Sequence, residues 1–242
     1  MSKTKPLSRI CVSHYVKLVL RSSLLIAVLI NYIVNKDDML KFAAPIPLIA
    51  WLFLMVDMVL RLFPSKLESM GCQKQFKKNY EPIDVNAKPV NQSWKRTAVV
   101  VLVWLALNAA IGALYFLGVI DKGILFLIAL AYSVCDIICI MFFCPFQTWF
   151  MKNRCCTTCR IYNWDFPMMC TPLVFIPSIY TYTLLGFSLI ILVRWELTLR
   201  VHSERFSTAT NKCMDCSRCE EKLCQHKRQL RNFIKKNKSR FY

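Results

Sequence analysis

The chain has 242 residues, with 32 Lys and Arg against 14 Asp and Glu and a formal charge of +18, yet 56% of its residues are hydrophobic. A soluble domain with that apolar content would spread its charges along the chain. Here the apolar residues come in blocks of about twenty with the charges between them, the pattern of helices that cross a hydrocarbon core of about 30 Å. Five glycines and no sustained period-2 alternation argue against a β-barrel. Basic cytoplasmic loops account for the charge better than nucleic acid does, and no nucleic-acid partner is expected.

The first apolar run, Leu18 to Val34, follows Lys3, Lys5, Arg9 and Lys17 and contains Arg21. It reads as a short span that begins as an interfacial helix with snorkelling basic side chains. No small-residue cleavage site follows it, so a cleavable signal peptide is not expected. A second span runs from about Phe42 to Phe63, with Pro45 and Pro47 in its first turns, where proline is best tolerated. Residues 64–96 are hydrophilic and basic and read as a cytoplasmic loop with room for one amphipathic helix. The third and fourth spans, Thr97–Ile120 and Ile124–Phe146, form a hairpin about Asp121-Lys122-Gly123. A polar cysteine-rich loop follows (147–170), then an apolar run from Pro172 to Trp195, and a basic cysteine-bearing tail (196–242). The expected architecture is an all-α, polytopic membrane bundle of four to five spans over residues 1–195, followed by that tail.

Charge sets the orientation. Basic residues crowd the amino-terminal segment, the 64–96 loop and Lys152, Arg154 and Arg160, whereas Lys36 and Lys41 are offset by Asp37 and Asp38, and Lys122 by Asp121. The amino terminus is therefore placed in the cytoplasm. A fifth full crossing would export the basic tail and separate the two cysteine clusters. The simplest repair makes Pro172–Trp195 a re-entrant hairpin, broken near Pro177 and Gly186 and buried in protein. The cysteine-rich loop and the tail then share the cytoplasmic face.

The thirteen cysteines are the main chemical signal. In the tail, Cys213, Cys216, Cys219 and Cys224 form a C-x2-C-x2-C-x4-C run. Its spacing resembles the bacterial ferredoxin run, with four residues in place of three in the last gap and Gln225 where proline would stand. A 4Fe-4S cluster is the expected cofactor. Zinc is the alternative, through four thiolates or three with His226. Cys155, Cys156 and Cys159 form the second cluster, flanked by Cys144 and Cys170, with Cys156 and Cys159 as the better ligand pair. Juxtamembrane lipidation is the plain alternative. Cys135, Cys139 and Cys170 read as apolar filler, and Cys72 as a spare ligand. Trp149, Tyr162, Trp164 and Phe166 read as interface anchors.

Two acids lie in apolar runs. Asp57 has Arg61 at i+4 and reads as an internal ion pair. Asp136 is an intramembrane carboxylate and thus a candidate for proton relay, quinone hydrogen bonding or metal coordination with Cys139; a helix–helix hydrogen bond is the structural alternative. His14, His202 and His226 fall outside the spans, which leaves no bis-histidine haem. Nor is there a P-loop, a dinucleotide fingerprint or a G-x-S-x-G elbow.

The functional expectation is a membrane iron–sulfur protein, a candidate oxidoreductase subunit, that passes electrons from a cytoplasmic donor to a redox partner, a membrane complex or a quinone. A zinc-stabilised scaffold or assembly factor is one alternative, and metal-ion handling or transport is the other.

Overall fold

A computed structural model describes residues 8–34, 45–84, 87–90, 93–153 and 155–236. Apart from one isolated bridge between Pro82 and Asn211, the described residues form helices, turns and loops. Among them are eight α-helices: α1 (Arg9–Val34), α2 (Pro45–Arg61), α3 (Met70–Gln73), α4 (Trp94–Phe116), α5 (Lys122–Met141), α6 (Asp165–Cys170), α7 (Ile179–Val201) and α8 (Leu223–Lys236). Helices α1, α4 and α5 are long and apolar enough to cross a membrane. As described, α2 has 17 residues, and α7 carries Arg194, Glu196 and Arg200 near its end. The charges at Lys3, Lys5, Lys36, Asp37, Asp38, Lys41 and Arg154, the expected start of the second span at Phe42, and residues 237–242 lie outside the described residues.

Local chemistry sets the helix ends. Pro45 and Pro47 open α2, where a missing N–H forfeits no helical bond. Asp121 caps α5 by accepting from Ile124 N at 2.8 Å. Among the described residues of the 64–93 loop, the helical pieces are the single turn α3 and a 3-10 turn at Lys77–Asn79, in place of a longer amphipathic helix. The hydrophobic core lies between α1, α2, α5, α6 and α7, with Val28, Leu54, Phe126, Phe166 and Leu184 all buried.

The chain has two ends that can be told apart by contacts. At one, Tyr32 at the end of α1 donates to Asp121 at the start of α5. At the other, the start of α1 meets the tail: Ser8 Oγ donates to Glu221 O at 2.7 Å, and Tyr15 OH lies 2.7 Å from His226 Nε2. Arg96 at the start of α4 donates to Met151 O at this second end too. The start of α1 and the described residues of the 64–93 loop, the cysteine-rich loop and the tail thus gather at one end of the bundle.

The tail returns there by a short descending limb. From Asp165, which pairs with Arg61 at the end of α2, the chain runs through α6 and a 3-10 turn (Thr171–Phe175). Phe175 then packs on Tyr115 near the end of α4. After Pro177 the chain reverses, Tyr180 packs on Trp51 of α2, and α7 climbs back. The hinge is at Pro177 alone. The break expected at Gly186 is absent, because α7 runs unbroken for 23 residues, about 34 Å at 1.5 Å per residue. It also continues to Val201, past the expected bundle boundary at residue 195.

The limb fits because Gly112 leaves room for it: a Cβ there would lie 2.5 Å from Phe175 Cζ. Gly112→Val is therefore expected to destabilise the protein by about 2–3 kcal/mol, as overpacking does. Thermal unfolding in detergent would measure this. An unchanged midpoint would show that the limb does not pack on α4.

Inside the bundle the charges pair across helices. Arg21 is 1% exposed and does not snorkel. It donates to Asp57 at 2.5 Å, to Asp136 at 3.3 Å and to Ser133 O at 2.7 Å. Lys17 bonds Asp57 and Glu68. The expected Asp57–Arg61 pair gives way to these, since Arg61 reaches Asn163 and Asp165 on the descending limb. His14, expected outside the spans, is buried in α1, with Nδ1 2.7 Å from Ile10 O.

Candidate functional site

The cysteine-rich loop is a fixed structure. Pro145 follows Cys144 just beyond α5, and a wide turn over Phe146–Phe150 carries the chain outward. Lys152 adopts a left-handed conformation (φ 49°), which reverses it. Asn153 then ties the loop: its Nδ2 donates to Cys155 O and Thr158 Oγ1, both at 3.0 Å, and its Oδ1 accepts from Cys155 N. From below, Lys74 Nζ donates to Thr157 O at 2.6 Å and Cys159 O at 3.1 Å, and lies over the rings of Trp195 and Phe206. Burial pushes the Lys74 ammonium down to about 8. A lysine spent on two carbonyls in the interior shows how tightly this loop is placed.

The tail docks on the 64–93 loop and is not a free appendage. Lys212 N donates to Glu81 O and Ile83 N to Thr210 O. Glu221 is 3% exposed and accepts from Ser69 Oγ at 2.7 Å and Met70 N at 2.5 Å, so it caps α3. This anchor delivers α8 to the cysteine-rich loop.

Two pairs of sulfurs result. Cys224 and Cys155 line one small pocket. The neighbouring Cys224 thiol first, then Thr157, bring the Cys155 acid down to about 5, while Cys224 is pushed up. Thr157 Oγ1 lies 2.8 Å from Cys155 Sγ. The second pair is Cys139 at the end of α5 and Cys144 beyond it. Both line one cavity, and the neighbouring Cys139 thiol lowers the Cys144 acid to about 7. A thiolate held by a neighbouring thiol is the arrangement of a reactive dithiol.

Cys156 lies between the pairs. It follows Cys155 in the chain, donates to Gln147 Oε1 at 3.3 Å and accepts from Lys227 Nζ at 3.2 Å. Lys227 also reaches Cys139 O at 3.4 Å. Burial raises the Cys156 thiol and raises Cys159 to about 12. Cys135, Cys139, Cys144, Cys156 and Cys159 line one cavity of ≈ 140 Å³ together with Asp136. Asp136, the candidate for proton relay, quinone hydrogen bonding or metal coordination with Cys139, meets the Arg21 guanidinium here.

The tail cysteines do not converge as the ferredoxin-like spacing implied. Cys213 bonds Glu81 and Cys216 is exposed, whereas Cys219 and Cys224 turn toward Cys155 and Cys156. Those last four line a pocket of only ≈ 10 Å³, about the space of one water and far too small for a cubane. Among the described residues no group of three or more His, Cys, Asp or Glu is placed to hold a metal ion. Cys170 is buried in the core as apolar filler, and Cys72 is buried with its thiol raised to about 12. Cys139, read as filler, belongs to the site. Lys227, Lys74 and Glu221 carried no sequence signal, since each is one charge among many in a basic or polar stretch.

No protein-family model matches this chain, and neither a curated protein nor a solved structure is similar to it.

Proposed function

We propose that the chain is a multi-pass membrane redox protein that passes electron pairs between a cytoplasmic thiol–disulfide partner and a membrane acceptor through its own dithiols. The observation that carries this reading is the placement of Cys224 of the tail beside Cys155 of the loop, where they line one pocket and join the two clusters. Helices α2 and α7 complete the bundle in this reading, and the basic residues at the sulfur-bearing end support a cytoplasmic orientation for it. Disulfides there are transient and catalytic, which suits a pair held as thiol and thiolate.

The step balances without a metal. A thiolate of the reduced partner attacks the Cys155–Cys224 disulfide at Cys224, and the Cys155 sulfur leaves as a thiolate. The partner's second thiol then passes its proton to Cys224 and displaces it. A partner S–S bond has formed and the Cys155–Cys224 bond has broken; two electrons and the one proton are now on this chain. Exchange through Cys156 would carry the electron pair on to a Cys139–Cys144 disulfide, leaving that pair as a dithiol.

Anaerobic purification followed by differential alkylation, with metal and acid-labile sulfide analysis, tests this reading. The expected result is a colourless protein whose Cys155 and Cys224 are jointly protected after mild oxidation by diamide. A second reading, a tetrathiolate metal centre, draws on the convergence of Cys155, Cys156, Cys219 and Cys224 on one pocket. Stoichiometric zinc with inert thiols would favour a scaffold, and iron with labile sulfide would favour a cluster; either would overturn the dithiol mechanism.

A further inference from the structure

The cavity beneath the second sulfur pair has the size, walls and chemistry for one flat ring. It holds ≈ 140 Å³, and a cavity of about 150 Å³ takes a benzene molecule. Its walls include Trp104, Tyr132 and Phe146. Trp104 packs on Tyr132 with ring centroids 4.7 Å apart and on Phe146 at 6.0 Å. Aromatic rings stack with offset or edge contacts at such distances, so a third flat ring finds ready partners. Cys135, another lining residue, is exposed on α5, so the cavity borders the face that α5 turns to lipid in a bilayer. Cys139 and Cys144, five residues apart in the chain, both line it, and Asp136, fixed by Arg21, is the carboxylate beside them.

We infer that this cavity binds the ring of a lipid-soluble quinone and that Cys139 and Cys144 reduce it. The inference rests on the dithiol reading above and identifies its membrane acceptor. In the step, the Cys144 sulfur adds to the ring and Cys139 displaces it. The Cys139–Cys144 bond forms, two electrons enter the ring, and the two thiol protons finish on its two oxygens as a quinol. One dithiol and one quinone give one disulfide and one quinol. Asp136 acts as a positioning residue at the ring through its contact with Arg21.

The test uses the full chain in detergent, reduced and freed of reductant, mixed with a benzoquinone carrying a decyl chain. Quinone absorbance is followed together with the state of each cysteine. The expected result is loss of one quinone equivalent with formation of the Cys139–Cys144 disulfide. Cys144→Ser and Cys139→Ser should each slow this by about a hundredfold or more while leaving Cys155 alkylation unchanged, which shows that the fold survives. Cys213→Ser should have no effect. Asp136→Asn should raise the quinone concentration needed for half-maximal rate more than it lowers the limiting rate. An unchanged rate in Cys144→Ser overturns the inference. So does an untouched quinone in a protein whose Cys155–Cys224 pair still reduces a soluble disulfide; in that case the dithiol reading stands alone. If neither acceptor is reduced, both fail.

Discussion

Alkylation of Cys155 in the wild-type protein is expected to proceed at full rate down to about pH 5 and to fall tenfold per pH unit below that. The thiolate is the nucleophile, and the Cys155 acid is held at about 5 by the Cys224 thiol and then by Thr157. Cys224→Ala removes the leading donor, so the inflection should move up toward the ordinary thiol value of about 8.5. The Thr157 contacts remain and keep part of the shift. At pH 6 the variant should therefore react about ten to a hundred times more slowly. The contrast is partly blunted because a more basic thiolate is intrinsically more nucleophilic. Cys156 provides an internal reference in the same peptide: it is buried and its thiol is raised, so it should stay unlabelled throughout. Isotope-coded iodoacetamide and peptide mass spectrometry give both rates at once. A wild-type inflection between 8 and 9, or one that does not move in the variant, would remove the reactive pair from the mechanism.

The helices able to cross were legible because hydrophobicity is local. The runs at α1, α4 and α5 and the turn at Asp121 need no tertiary information to be recognised. Charge led further, to an expected re-entrant hairpin over Pro172–Trp195; in the fold the chain reverses after Pro177 and continues as the unbroken helix α7. What charge could not do was locate the limb. Gly186 looked like a breaker, but a lone glycine costs a helix only about 1 kcal/mol against alanine, and α7 passes through it. The true descent starts earlier, at Asp165, where a short helix and a 3-10 turn cover the distance with few residues. No periodicity marks such a segment.

The site was legible in kind but not in pairing. Cysteine spacing along the chain suggested that the four tail residues belong together. In the fold, however, Cys219 and Cys224 turn away from Cys213 because Glu221 is drawn into the cap of α3. A single buried carboxylate thus splits the run into two halves. Arg21 was misread for a related reason. An arginine in an apolar run is as compatible with snorkelling as with an internal partner, and only the position of Asp57 and Asp136 on other helices decides between them.

Arg21→Met is expected to destabilise the protein by about 3–5 kcal/mol, because it strips a buried network of its central cation. The guanidinium joins α1 to Asp57 on α2 and to Asp136 and Ser133 O on α5, and it is 1% exposed. The loss exceeds that of the contacts themselves, since Asp57 and Asp136 are left inside without the charge that faces them. Lys17 still reaches Asp57 at 3.1 Å, which limits the damage on that side. Two companions separate this from a general effect of surface charge. Arg218→Ala, whose pair with Glu81 is more than half exposed on both sides, should change stability by no more than about 0.5 kcal/mol. The triple variant Arg21→Met, Asp57→Asn, Asp136→Asn should recover more than half of the loss, because it removes the stranded charges together with their partner. Thermal unfolding in detergent, followed by tryptophan fluorescence, ranks the three. If Arg21→Met costs less than about 1 kcal/mol, the network does not fasten α1 to α5, and Asp136 has no fixed place beside the cavity that Cys139 and Cys144 line.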